Sequence, residues 1–335
     1  VIPSRRSAAR NPLRKHEVRS VRRGFLPPLR RFGMTSRGSA VKHERSGSSD
    51  AATDYDDPPV IIAQLLLLGA SAYERKSQLI DAAALSAEHD VRLGDITGAD
   101  IVHIYAPRIL DPAAVRDIAV PFVSNARPRA TRFAWRKGRQ PAHVITPLKE
   151  TANHETAKLQ NHETATFIPE AVDDQYFDSA TREPSNRATI GSFSRTSIRN
   201  IVEQTATRIH RFRDDVDWLL FDDTPSPEDL HSVDVWVDAA VDEDDADGFV
   251  AEALAAGNVV VASRTAINAQ RLEKGRIGSL VPVRDPNELT HAILAALFKP
   301  ELRRDRIAAS QQTVSKFRIR HRVRALVQLY ESILQ

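Results

Sequence analysis

The sequence predicts an α/β protein built from two doubly wound parallel sheets. Short apolar stretches alternate with longer stretches of helical periodicity along most of the 335 residues, which is typical of parallel strands joined by helices. Some short stretches, such as residues 259–262 (VVVA), are apolar on both faces, as expected for a central strand covered by helices on both sides. The chain is long enough for two such domains after an N-terminal leader.

The first domain is predicted over residues 57–166. A buried strand is expected at residues 60–68 (VIIAQLLLL), followed by a helix at residues 73–87. Further short strands are expected at residues 91–96, 99–107, 120–125 and 142–147. This alternation of strands and helices predicts a parallel sheet.

The second domain is predicted over residues 167–316, and its most informative stretch is residues 244–263. An acidic loop leads there into a short helix that contains Glu252 and is expected to end at Gly257, because glycine most easily adopts the left-handed conformation that closes a helix. Taken alone, the carboxylates of this stretch fit a solvated loop that caps its own helix equally well.

Residues 244–263 (DDADGFVAEALAAGNVVVAS) resemble the donor-site signature of retaining glycosyltransferases of the GT-B fold, family 4. The family pattern is E-x7-E followed by A-[ML]-A-x-G-x-P-V-V-A. Glu252 is the second acid of this pattern, and Asp244 stands in place of the first. Asn258 stands where the family usually has proline.

Four further segments resemble motifs of the same family, in the family's order. Residues 167–177 (FIPEAVDDQYF) are similar to the hinge motif V-I-P-N-G-V-D-x-x-x-F. Residues 188–200 (ATIGSFSRTSIRN) are similar to the next strand and phosphate loop, V-G-R-L-x-x-x-K-G. Residues 233–239 match the strand A-D-V-F-V-x-P, and residues 275–294 match N-G-x-L-V-x-x-x-D-x-x-x-L-x-x-A-I. The resemblance extends over residues 167–335, about half of the chain.

The resemblance implies the GT-B fold, in which two Rossmann-like domains face each other across a cleft and a final helix crosses back to the first domain. That helix is predicted over residues 317–335. Its apolar residues recur at helical spacing: Ile319, Val323, Leu326, Val327, Tyr330 and Leu334. The ligand is then expected between the domains, at the C-terminal ends of the parallel strands.

The resemblance also implies an activity, the metal-independent transfer of a sugar with retention from a nucleotide-diphosphate-sugar donor to a carbohydrate, lipid or small-molecule acceptor. No cofactor and no metal are expected. By resemblance, the catalytic residues are Arg195, Asp244 and Glu252. Arg195 takes the arginine position of the phosphate loop, and Arg199 serves by a one-residue slip because the lysine position is Asn200. Glu252 is expected to bind the ribose, and Asp244 the sugar hydroxyls.

Candidate acceptor-side residues are His103, at a strand position where many relatives have a His-x-His pair, and Asn125. The first domain departs from the family pattern, since only Gly69 represents the usual glycine-rich loop after the first strand. The family's common histidine near the end of the strand at residues 120–125 is also missing. An alternative therefore stays open: a GT-B-like protein that binds a nucleotide or sugar, or acts as a scaffold, without turnover.

Charge is distributed unevenly along the chain. Residues 1–33 hold nine Arg, one Lys and one Glu, a net charge of +9, so the other residues carry −6 of the total of +3. Residues 1–56 are predicted to be a disordered basic and polar leader. The only methionine is Met34, which favours translation from that residue. The alternatives for residues 1–33 are a nucleic-acid or anionic-membrane arm and an Arg-rich transit peptide; no nucleic-acid partner is expected.

The absence of cysteine excludes disulfides, thiolate catalysis and zinc-thiolate sites. The longest apolar run, residues 60–72, is interrupted by Gln64 and is too short for a bilayer, which takes about 20 residues. A cytoplasmic location is therefore expected, and peripheral membrane contact stays open.

Overall fold

The computed structural model describes residues 19–21, 59–67, 72–105, 115–116, 118–125, 141–147, 165–177, 187–242 and 248–335. The predicted leader at residues 1–56 lies outside these ranges except for strand β1 (Arg19–Val21). The described residues form two sheets of parallel strands, and each sheet has a hydrophobic cluster on both of its faces. The predicted α/β class with two doubly wound sheets is confirmed.

The first sheet has the strand order β3-β2-β4-β5-β6-β7, with every neighbouring pair parallel. Its strands are β2 (Ile61–Leu66), β3 (Asp90–Leu93), β4 (Ile101–Tyr105), β5 (Phe122–Asn125), β6 (His143–Thr146) and β7 (Ala165–Phe167). Helix α1 (Ala72–Leu85) connects β2 to β3. The predicted strands and helix of this domain are confirmed to within a few residues, whereas β7 was not predicted.

The second sheet has the order β1-β9-β8-β10-β11-β12 and is also parallel throughout. Its other strands are β8 (Ala188–Phe193), β9 (Val216–Phe221), β10 (Val235–Asp238), β11 (Val259–Ser263) and β12 (Ser279–Val281). Every residue of β10 and β11 is buried. This confirms the prediction of a central strand from a run that is apolar on both faces.

Short-range signals in the sequence account for several helix ends of the second domain. Its helices are α2 (Arg199–Phe212), α3 (Pro227–His231), α4 (Val250–Ala255), α5 (Ala266–Arg271), α6 (Pro286–Phe298) and α7 (Pro300–Thr313). Ser226 caps α3 in a reciprocal capping box with Asp229, which satisfies two backbone N–H groups that the helix leaves free. Gly257 follows α4 with φ of 81°, the left-handed conformation that was predicted for it.

The final helix, α8 (Ile319–Leu334), crosses back to the first domain. Leu326 and Tyr330 lie in one buried cluster with Ile62 of β2 and Ile101 of β4. The guanidinium of Arg322 donates two hydrogen bonds, of 2.6 and 2.7 Å, to the buried carboxylate of Asp81 on α1. The predicted crossover is therefore confirmed, and α8 is part of the first domain's core.

Candidate functional site

The candidate site lies where the carboxyl ends of the second sheet meet the first domain. Parallel α/β sheets bind ligands at this edge. Among the described residues, two contacts here join the two domains, and a third ties the linker after β7 to the second domain. Lys76 of α1 contacts Glu252 of α4, Gln270 of α5 donates a 2.7 Å hydrogen bond to the carbonyl of Pro147, and Arg271 of α5 pairs with Glu170 in the linker after β7.

Arg195 is the most informative residue of this site. It lies two residues after the end of β8, and its guanidinium lies 5.3 Å from the ring centroid of Phe193. Both terminal nitrogens of the guanidinium are buried, and neither has a hydrogen-bond partner among the described residues. Burying a charged group without a partner costs several kcal/mol in order of magnitude. A negatively charged ligand at this position would remove that cost.

Helix α2 begins four residues after Arg195 and presents an open N-terminus. Ile198 at its N-cap makes no side-chain capping bond, and the first turn holds no acidic residue. The first N–H groups of such a helix are therefore left to a ligand or solvent. Arg199 is exposed at the first position of α2, whereas Asn200 accepts a hydrogen bond from Gln204 on the next turn. Arg195 and the N-terminus of α2 together have the chemistry of an anion site.

Two aromatic rings separate Arg195 from the first domain. Phe193 and Phe249 contact each other edge to face, with centroids 5.0 Å apart. Phe249 is the N-cap of α4 and has a φ of 54°, an uncommon conformation for a bulky residue. Gly248 before it has no room for a side chain, since an added Cβ would lie 2.4 Å from Oδ1 of Asp238. The close approach of this loop to β10 therefore requires glycine.

Glu252 lies in the first turn of α4 and is only 2% exposed. Its Oε1 accepts a hydrogen bond from Nζ of Lys76, which reaches it from α1 of the first domain. The side chain of Lys76 is 18% exposed, and its ammonium also lies 5.1 Å from the ring centroid of Phe249. Glu252, the residue predicted to bind the ribose, is thus paired with a lysine of the first domain.

A second buried ion pair lies beside this contact. Arg271 donates to both carboxylate oxygens of Glu170 and lies 3.4 Å from Oδ1 of Asn268, whose amide donates in turn to Asp238. Burial alone would raise the pKa of Glu170, but the nearby positive charges outweigh burial and lower this pKa below its ordinary value. Arg271 contributes most of the lowering, and Lys76 and Arg322 contribute less. Glu170 is therefore held ionised at the hinge.

The sequence pattern did not reveal Lys76, Glu170 or Arg271 as members of the site. A signal existed for Glu170, which places an acid at the asparagine position of the hinge motif, between the apolar residues Pro169 and Ala171. A buried acid needs a cationic partner, but the pattern did not say which. Lys76 has no local signal, because its partner lies 176 residues away.

His103 and Asn125 lie together, but inside the first domain. His103 is fully buried, with Nδ1 2.6 Å from the hydroxyl of Tyr330 and Nε2 3.0 Å from Oδ1 of Asn125. Burial lowers the pKa of His103 from 6.5 to about 4, so its imidazole is neutral at physiological pH. An acceptor could reach this ring only by displacing one of these partners, and the acceptor-side role stays a prediction.

Two departures from the family pattern have different outcomes. Asp244, together with Asp245 and Asp247, lies outside the described residues, so its role stays a prediction. Asn258, at the usual proline position, donates from Nδ2 to the carbonyls of Leu230 and Val233 at 2.9 and 2.7 Å. This departure from the pattern ties the start of β11 to the end of α3, bonds that a proline could not make.

Within the described ranges, no group of three or more His, Asp or Glu side chains is placed to hold a metal ion. No helix in that part of the chain is both long and apolar enough to cross a membrane. The predicted metal independence is not tested by this finding and stays a prediction.

The chain matches no protein-family model and no curated protein by sequence, but its structure resembles known glycosyltransferases. It is similar to a glycosyltransferase from Rickettsia africae, with 13% identity, a TM-score of 0.62, and coverage of 83% of this chain and 99% of that one. It is also similar to HepE from Anabaena in complex with UDP and glucose, with 15% identity, a TM-score of 0.59, and coverage of 81% of this chain and 99% of that one. A third similar structure is sucrose-phosphate synthase from Thermosynechococcus elongatus, with 12% identity, a TM-score of 0.64, and coverage of 82% of this chain and 98% of that one. The chain therefore has the GT-B fold of these enzymes.

Proposed function

We propose that the protein is a glycosyltransferase of family 4. It moves a sugar, with retention and without a bound metal, from a nucleotide-diphosphate-sugar donor to a carbohydrate, lipid or small-molecule acceptor. The observation that carries this proposal is the guanidinium of Arg195, whose terminal nitrogens are buried and lack a hydrogen-bond partner among the described residues. It lies in the short loop between β8 and α2, next to an uncapped helix N-terminus.

The charges of the reaction explain why such a loop is needed. When the bond between the sugar and the diphosphate breaks, the electron pair stays on a phosphate oxygen. Groups that are positive and fixed in advance stabilise that developing charge, usually as the largest single contribution to catalysis. Arg195 and the N–H groups of α2 are such groups, and Arg199 adds a second full positive charge at the surface.

Glu252 is assigned to the ribose and Asp244 to the sugar hydroxyls. A carboxylate accepts hydrogen bonds only, so Glu252 suits a pair of hydroxyl donors such as those of ribose. Its burial at the start of α4 makes an unpaired carboxylate costly, and in this proposal the ribose hydroxyls take the place of Lys76 as its partners when the donor binds. The complex of the similar HepE with UDP and glucose supports a uridine nucleotide as the first donor to test.

The test is calorimetric titration of the full chain with UDP, GDP and ADP. We expect saturable binding of one nucleotide by the wild type, weakened roughly 10-fold to 100-fold by Arg195→Ala, because a hydrogen bond to a charged group is worth about 1.5–3 kcal/mol. Arg211→Ala is the matched control, since Arg211 is exposed near the far end of α2. Failure of the folded wild type to bind any of the three nucleotides would contradict the proposal.

A second function, a nucleotide-binding or scaffold protein without turnover, is favoured by one observation. Lys76 occupies the carboxylate of Glu252, which a donor must reach. The two functions are separated by measuring release of UDP from UDP-glucose, with water or an added acceptor as the second substrate. Saturable binding without any release across an acceptor screen would support the second function.

A further inference from the structure

The phosphate loop of the second domain offers few fixed positive charges. Asn200 stands at the lysine position and forms a hydrogen bond with a neighbouring glutamine. Arg199 is exposed, and its side chain is not fixed by burial. Arg195 is therefore the buried cation that this loop supplies. A donor carries negative charge on both of its phosphates, so one buried guanidinium leaves room for a second cation.

Lys76 lies on the other side of the same aromatic pair. Its ammonium is 5.1 Å from the ring of Phe249, Phe249 contacts Phe193, and the guanidinium of Arg195 is 5.3 Å from the ring of Phe193. Each domain thus places one cation beside the pair of rings formed by Phe193 and Phe249, which we call the aromatic wall. A ligand lying along this wall would meet both.

The contact between Lys76 and Glu252 differs from the neighbouring ion pair in its capacity to change. Arg271 and Glu170 have side chains only 3% and 8% exposed, and the planar guanidinium holds both carboxylate oxygens. Lys76 contacts only Oε1 of the two Glu252 carboxylate oxygens, and its side chain is 18% exposed. An ammonium on a flexible four-carbon stem can change partner with little rearrangement of the backbone.

We propose that Lys76 is a second diphosphate-binding residue, supplied by the first domain, and that it exchanges its pairing with Glu252 for a phosphate oxygen of the donor. When a donor binds, the ribose hydroxyls donate to Glu252 in place of the ammonium, and Lys76 turns to a phosphate oxygen. Neither carboxylate nor ammonium is left buried without a partner in this exchange. The inference rests on the proposed function, since it requires a nucleotide at this site.

The test compares UDP with uridine, which shares the base and ribose but lacks the phosphates. Calorimetry gives the affinity for UDP, and saturation-transfer NMR gives the weaker affinity for uridine. The quantity of interest is the gain in affinity of UDP over uridine. We expect Lys76→Met to reduce this gain roughly 10-fold or more and Lys76→Arg to restore part of it. Lys299→Met, which removes an exposed lysine at the start of α7, is the control for loss of charge alone.

The outcomes separate this inference from the proposed function. If the wild type binds UDP and Lys76→Met leaves the gain unchanged, Lys76 does not bind phosphate and the inference is wrong, while the proposed function stands. If Lys76→Met tightens UDP and uridine by the same factor, Lys76 only competes with ribose for Glu252, which also overturns it. If the wild type binds no nucleotide, both are overturned.

Discussion

Replacement of the buried His103 by glutamine should change how the stability of the protein depends on pH. The pKa of His103 falls from 6.5 to about 4 on folding because the ring is buried. As the pH falls below 6.5, the unfolded chain therefore binds the proton before the folded protein does, and the histidine increasingly favours unfolding. The difference between the two pKa values corresponds to a loss of folding stability of roughly 3 kcal/mol when it is fully expressed at low pH. Roughly 2 kcal/mol of this loss is present at pH 5, and almost none at pH 7.5.

The assay is urea unfolding of the full chain at pH 7.5 and pH 5.0. His103→Gln loses the contacts with Tyr330 and Asn125, so it should be less stable than the wild type at pH 7.5. Its deficit should shrink by roughly 2 kcal/mol at pH 5, because glutamine does not titrate. An equal deficit of His103→Gln at both pH values would refute the reasoning.

Two further substitutions test the packing around the site. Arg322→Met should lower the free energy of unfolding by about 3–5 kcal/mol, because it leaves the buried carboxylate of Asp81 without its cation. In urea unfolding, the double variant with Asp81→Asn should recover much of this loss, and no recovery would contradict the ion-pair argument. Gly248→Ala should destabilise by about 1–3 kcal/mol through the clash of its Cβ with Asp238, measured by thermal unfolding, and a melting temperature equal to that of wild type would show that the loop has room to move.

Most of the fold was predictable because its signals are local. The strand at residues 259–262 is apolar on both faces, and such a run has few alternatives to a covered central strand. Gly257 has the positive φ predicted for it, since the need for glycine at a helix end is set by the backbone of that one residue. Strand β7 (Ala165–Phe167) has only three residues, too short for an alternating pattern to predict.

The candidate site was predictable only in part. Arg195 and Glu252 lie at the sheet edge that the motif resemblance implied, because each is attached to a strand or helix that the pattern predicts. What surrounds them depends on contacts between distant parts of the chain. Neither the contact between Lys76 and Glu252 nor that between Arg271 and Glu170 has a recognisable spacing in the sequence, because each joins residues more than 100 positions apart that meet only in the folded protein.

The crossover of α8 has a consequence for the order of events during synthesis. The helix belongs to the first domain's core, yet residues 319–334 are made after the whole second domain. While the ribosome is still translating the second domain, Asp81 lacks Arg322 and His103 lacks Tyr330. Part of the hydrophobic surface of the first sheet is then exposed, and Asp81 and His103 each lack one hydrogen-bond partner, features of the intermediates that chaperones bind. The first domain is therefore completed last, although its sheet is synthesised before most of the second domain.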